Sequence, residues 1–358
     1  MRPADKGLIT SPEDLPRRLA LAVRAEEREY IAFLGGRGGL PFAVSPHFAS
    51  LAGPDPDDPI RRQFFPDPRE EAPDPFALDD PLGEAGHLAA PRFIHQYRDR
   101  ALLLAGGSCA GFCRHCFRRV WLGSSRFFIN AGELDPVSAY LERHPEIREI
   151  LVSGGDPMTA SDGVLEKLFR RLRNAGVREE PLSLRICTRI PITVPSRISP
   201  RLIAMFSRYK PLRMAVHINH CRELADAARK VLADCSGAGI PVLVQTVLLR
   251  GVNDDPALLA ELFRECLALG LSPYYLFQID LAPGTAHFRV PLKEGLAIYR
   301  KLKEFLGPDC PAYAVDLPGG GGKIRLGDDS IAGEGESPGG PVYYLRGPDG
   351  KLWAYPRR

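Results

Sequence analysis

No stretch of this 358-residue chain approaches the ~20 consecutive apolar residues that a membrane-spanning helix requires. Residues 1–15 also lack the apolar stretch of a secretory signal, being polar and carrying proline and charges of both signs. The expected compartment is therefore the cytoplasm, with no membrane partner. An excess of one charge is missing too: 47 Lys and Arg stand against 44 Asp and Glu, so bulk electrostatics call for no nucleic-acid partner. A small anionic ligand is still compatible with that balance. Eight cysteines in a chain this long, without a signal, do not make a disulfide scaffold. What is present is enough apolar material, 44% of residues, to bury a full core in one large or two ordinary domains.

The chain divides by texture. Residues 1–95 are rich in proline and charge, with a helical stretch at 13–33 and broken acidic segments, and read as a helical and loop-built N-terminal region. From 96 to 312, short apolar runs at 101–105, 149–152, 182–186, 213–217, 241–247 and 274–279 have the length and Val/Ile/Leu content of strands. Amphipathic helix patterns at 162–175, 200–209, 222–237 and 256–269 fall between them. Strand-then-helix units in series imply a parallel sheet, because parallel strands need crossover connections. The fold class is α/β, an open six-unit partial barrel of TIM type, with its site at the carboxyl ends of the strands. Residues 313–358 turn glycine-rich and end in a hairpin, 342–346 with 351–355, which reads as a lid or flap.

Three cysteines, Cys109, Cys113 and Cys116, crowd into eight positions directly after the first of these strands. Thiolates suit zinc or an iron–sulfur cluster, and both readings are open on ligand type alone. The x3-then-x2 spacing favours a four-iron four-sulfur cluster with one iron left for an exchangeable ligand, over zinc completed by His115 or a distant cysteine. One strand later comes Ser153-Gly154-Gly155-Asp156-Pro157, which taken alone is a strand-ending turn.

Near the C terminus, Pro318-Gly319-Gly320-Gly321-Gly322-Lys323 is not a phosphate loop. Residue 317 is Leu where GxxxxGK needs its first glycine, and Ile324 follows the lysine. Four glycines permit close backbone approach and can deliver a lysine amine to an interior site, where it can form a Schiff base. A solvated loop is the alternative on these residues alone.

The CxxxCxxC motif resembles that of the radical S-adenosylmethionine superfamily, and SGGDP its glycine-rich ligand turn. From about 100 to 323 the sequence resembles the lysine 2,3-aminomutase family in CRHCFRR, SGGDP, HINH (217–220), QTVLLRGVND (245–254), PYY (273–275), AHFRVP (286–291) and DLPGGGGK (316–323). This resemblance implies a 4Fe-4S cluster on Cys109, Cys113 and Cys116, S-adenosyl-L-methionine on its open iron, and pyridoxal 5′-phosphate on Lys323. It further implies that Arg118 binds the substrate carboxylate and that Arg100 lies near the cofactor phosphate. Ser153, Gly154, Gly155, Asp156 and Gln245 are assigned to cofactor binding. Asp280 and Asp316 are assigned to the substrate's distal ammonium, where two negative charges would welcome a cation and repel glutamate. Each of these two could instead cap a turn or pair with Arg289 or Arg325.

The implied reaction moves the amino group of L-lysine from Cα to Cβ, with an electron donor such as flavodoxin or ferredoxin as partner and a homo-oligomer as the expected state. The family's catabolic members carry a zinc site from a cysteine after RGxND and a C-terminal cysteine cluster. Here Asp254-Asp255-Pro256 occupies the first position and no cysteine follows Cys310, so no structural zinc is expected. Cys187, Cys221, Cys235, Cys266 and Cys310 are read as core residues. The short C terminus also resembles the branch that acts on a lysine of translation elongation factor P. The same carboxylates would accept arginine. A non-catalytic metal-binding scaffold is the rival from outside the enzymes.

Overall fold

The computed structural model describes residues 7–358 apart from 21, 38, 123–126 and 177–178. The first six residues of the polar start, and residue 21 within the expected 13–33 helix, lie outside them. The described part of that stretch holds two helices, Arg17–Ala20 and Ala25–Arg37, in place of one.

Strands β1 (Leu88–Ala90) and β2 (Phe93–Tyr97) lead into β3 (Arg100–Gly106), β4 (Glu149–Gly154), β5 (Ser183–Thr188), β6 (Leu212–His217), β7 (Val242–Val247) and β8 (Ser272–Phe277). β3 to β8 pair in parallel, each with its successor, and are the six strands expected from sequence. Two features extend them. β9 (Ala312–Leu317) adds a seventh parallel strand, and β10 (Gly322–Arg325) turns back antiparallel on it. At the other edge β1 and β2 pair antiparallel onto β3, so the sheet starts before residue 96 and ends past 312. Neighbours follow sequence order and β1 does not pair with β10, which leaves the barrel open.

The helices form for local reasons. Asp162–Arg173 buries Leu165, Leu168, Phe169 and Leu172, the single-face spacing of an amphipathic helix. Pro256–Ala268 starts with proline at its first position, and the Asp255 carboxylate accepts from the amides of Ala257 and Leu258. Helices pack on the sheet, as Pro256–Ala268 does on β8, and β3 to β6 are buried at most of their positions.

The N-terminal region packs on the loop after β3. Val44 bridges Gly111, the Phe112 amide donates to the Ala43 carbonyl at 2.9 Å, and the Arg114 amide donates to Gln63 O at 2.8 Å. The tail forms a second sheet of β11 (Ile331–Ser337), β12 (Gly340–Arg346) and β13 (Leu352–Pro356). It is pinned to the barrel by Tyr355, whose hydroxyl donates to Ile279 O at 2.9 Å. A Cβ on Gly321 would lie 2.6 Å from the Trp353 ring, so only glycine lets the tail seat on the lysine loop.

Candidate active site

The loop that leaves β3 carries the three cysteines and is fastened from β4. Gly155 donates to Gly106 O and Asp156 to Ser108 O, both at 2.7 Å. A Cβ on Gly155 would stand 2.4 Å from Ser108 O, which is why that turn needs glycine. The thiols lie close enough to raise one another. Burial lifts Cys109 well above its ordinary range, with Cys116 and Cys113 adding to it, and lifts Cys116 to about 11, with Cys113 adding. Binding iron must displace those protons.

Two buried donors around this loop fit an acceptor-rich group. Asn219 Oδ1 accepts from the Val247 amide, so its Nδ2 is the donor that reaches His115 Nε2 at 3.2 Å. The His115 proton therefore sits on Nδ1, which is buried without a partner, as is Arg189 Nε. An unmet buried donor costs about 1–3 kcal/mol, a cost that cluster sulfur beside Cys113 and Cys116 would remove.

Asp156 also has a structural job. Its carboxylate accepts from the Met158 amide, the Thr188 hydroxyl and the Arg189 amide, at 2.7 to 3.0 Å, tying β4 to β5 from within. What is left of the SGGDP turn for a ligand is the Ser153 hydroxyl and the glycine backbone. Gln245 lies opposite His217 in register, and burial lowers that histidine to about 4, leaving it neutral.

The lysine end assembles across β9 and β10. Lys323 stands opposite Asp316, and their side chains form an ion pair. Its Nζ lies 4.1 Å from the centre of the Phe277 ring and 5.4 Å from that of Tyr275. Its backbone amide donates to the Tyr97 hydroxyl at 3.0 Å, and Arg100 stacks on the Tyr97 ring at 5.6 Å. Sequence reasoning missed two further arginines at this end. Arg185 and Arg213, on adjacent strands, both approach Glu149, and Arg185 also lies 5.6 Å from the Tyr274 ring. No motif marks them; inward-facing positions on consecutive strands at the barrel's amino end would have been the clue. Arg100 is itself paired with Asp99 and feels the Glu149 charge, so three arginines and two carboxylates meet here.

Asp280 joins the two ends. Burial pushes its carboxyl up to about 8, the Asp316 charge adds to this, and Lys323 and Arg118 oppose it. Four charged side chains from separate segments, Asp316, Lys323, Arg118 and Glu84, thus act on one carboxyl. Arg118 is held by Glu84 through Nε and Nη2, while its Nη1 lies 3.5 Å from the Ser153 hydroxyl. Glu84 is a third residue the sequence did not reveal. Arg289 pairs with Asp74 instead of either aspartate, and Asp316 pairs with Lys323. Of the remaining cysteines, Cys235 and Cys266 are buried, and Cys187, Cys221 and Cys310 half-buried.

No family model matches the chain. Among curated proteins, it is 46% identical over 268 residues to a putative L-lysine 2,3-aminomutase of Treponema pallidum, covering 75% of each chain. It is 37% identical over 320 residues to the L-lysine 2,3-aminomutase of Clostridium subterminale, covering 89% of this chain and 75% of that one. A glutamate 2,3-aminomutase of Clostridioides difficile matches at 32% identity over 320 residues, covering 89% and 74%.

Proposed function

The chain belongs to the lysine 2,3-aminomutase family, and from that premise we propose that it moves the amino group of free L-lysine from C2 to C3, giving β-lysine. The observation that carries this reading is the grouping of opposite charges around Asp280: a cation for a carboxylate at one end, two aspartates for a cation at the other, and the lysine amine between them.

Cys109, Cys113 and Cys116 would hold the cluster, which would bind S-adenosylmethionine. Bound here, the cluster and S-adenosylmethionine supply the radical that takes hydrogen from C3, and pyridoxal phosphate supplies the conjugated system over which nitrogen migrates. Lys323 anchors the pyridoxal through its amine, with Arg100, Arg185 and Arg213 around the phosphate and Tyr97 fixing the lysine backbone. Arg118 Nη1, which has only the long 3.5 Å contact to the Ser153 hydroxyl, takes the substrate carboxylate. Asp316 and Asp280 take the distal ammonium, and binding that cation favours the charged form of Asp280. A glutamate side chain would bring a third carboxylate to the pair, which repels it. The tail sheet, seated on Gly321 through Trp353, limits water at the lysine loop. The chemistry also needs an electron donor.

Anaerobic assay of the reconstituted protein with reductant, S-adenosylmethionine and pyridoxal phosphate, offering lysine, arginine and glutamate separately, tests the proposal. β-Lysine from lysine is the expected result. A product from arginine or glutamate alone, or none with all cofactors bound, contradicts it.

A further inference from the structure

One arginine outside the CRHCFRR segment touches a cluster cysteine. Arg189 follows β5, and its Nη1 donates to Cys113 Sγ at 2.9 Å. Its Nη2 donates to Glu223 Oε2 at 2.9 Å and also to Gln63 Oε1. The Phe48 ring lies 4.8 Å from the guanidinium carbon, and the backbone amide is bound to Asp156. Arg189, Glu223 and Gln63 are all buried. The guanidinium is thus fixed from three separate segments, and Gln63 and Asn219 continue the network to His115 between the cysteines.

Arg114, in the same loop, shows what a purely structural arginine does here. It is spent on Glu70 and on the carbonyls of Leu40 and Pro41. Arg189 instead keeps one nitrogen for a sulfur.

We propose that Arg189 tunes the reduction potential of the cluster by donating to the Cys113 sulfur, and that Glu223 limits how much of its charge the cluster feels. The inference rests on the reading that the three cysteines hold a four-iron cluster. One-electron reduction adds a negative charge to the cluster, so a donor and a positive charge at a ligand sulfur stabilise the reduced form more than the oxidised form and raise the potential. Burial enlarges the effect. Glu223, bonded to the same guanidinium, opposes it. Arg189 is therefore a positioning residue for the electron, acting through Cys113.

The test uses the full chain, reconstituted anaerobically, with iron and sulfide measured per chain and the midpoint read by EPR during titration with dithionite. The expected result is a wild-type-like cluster content, a midpoint shifted negative in R189M and R189K, and one shifted positive in E223Q. Lysine keeps the charge but cannot span Cys113 and Glu223 together, so R189K carries the negative arm should R189M take up no iron. Midpoints equal to wild type in R189K and E223Q, or moved in the same direction in both, would overturn this inference alone. A wild-type protein that assembles no four-iron cluster would overturn the functional reading beneath it.

Discussion

Lys323 and Asp316 face one another across the antiparallel β9–β10 pair, and the lysine ammonium is ion-paired with the aspartate. The amine proposed to anchor the pyridoxal and one of the carboxylates proposed to receive the substrate's ammonium are therefore register partners.

K323A removes the anchor without touching the cysteines. The visible absorbance of bound pyridoxal phosphate should vanish while iron per chain stays at the wild-type level. Retained absorbance would place the anchoring amine on another lysine.

D316N keeps the shape and removes the charge. Hydrogen bonds to charged groups contribute about 1.5–3 kcal/mol, so kcat/KM for lysine should fall about 10- to 150-fold. Pyridoxal phosphate content should change little. An unaltered kcat/KM would remove Asp316 from the substrate site.

Much of the fold was legible because its signals are local. Six strands show as short apolar runs, and the cysteine spacing is contained in eight residues. β9 was hidden because its sequence, Ala312–Leu317, carries Asp316 and runs straight into the glycines, and β2 because His95 and Gln96 interrupt its apolar pattern. The site divided in the same way. Lys323 and the cysteines lie in motifs, whereas Arg185, Arg213, Glu84 and Arg189 acquire their roles from partners brought together only by the fold. The carboxylate of Asp156 likewise finds its partners, the Thr188 hydroxyl and the Arg189 amide, only through the fold.

The raised pKa of Asp280 gives a pH signature. Below about 8 the free enzyme keeps this carboxyl neutral, and only its carboxylate attracts the substrate ammonium, which stays charged to about pH 10. Between pH 6 and 8, kcat/KM for lysine should therefore rise, and D280N should flatten the rise. The group has the opposite effect on stability. The unfolded chain loses this proton near pH 4 while the folded chain keeps it, so stability falls across the interval from about 4 to 8. Urea unfolding of D280N over that range should show a shallower decline, and a slope equal to wild type would contradict the assignment.

Arg118 is held side-on by Glu84, and its Nη1, 3.5 Å from the Ser153 hydroxyl, is the nitrogen proposed for the substrate carboxylate. R118M should lower kcat/KM for lysine by at least about tenfold and erase the preference for lysine over lysine amide, with iron content unchanged. A preference that survives would move carboxylate recognition elsewhere.

The most direct test of the central claim follows the nitrogen itself. Lysine labelled with ¹⁵N only at its α-amine is incubated anaerobically with the fully loaded protein, and the product is examined by NMR. The account predicts ¹⁵N bonded to C3 of β-lysine with the distal nitrogen unlabelled; label that stays on C2, or leaves as ammonia, would contradict it.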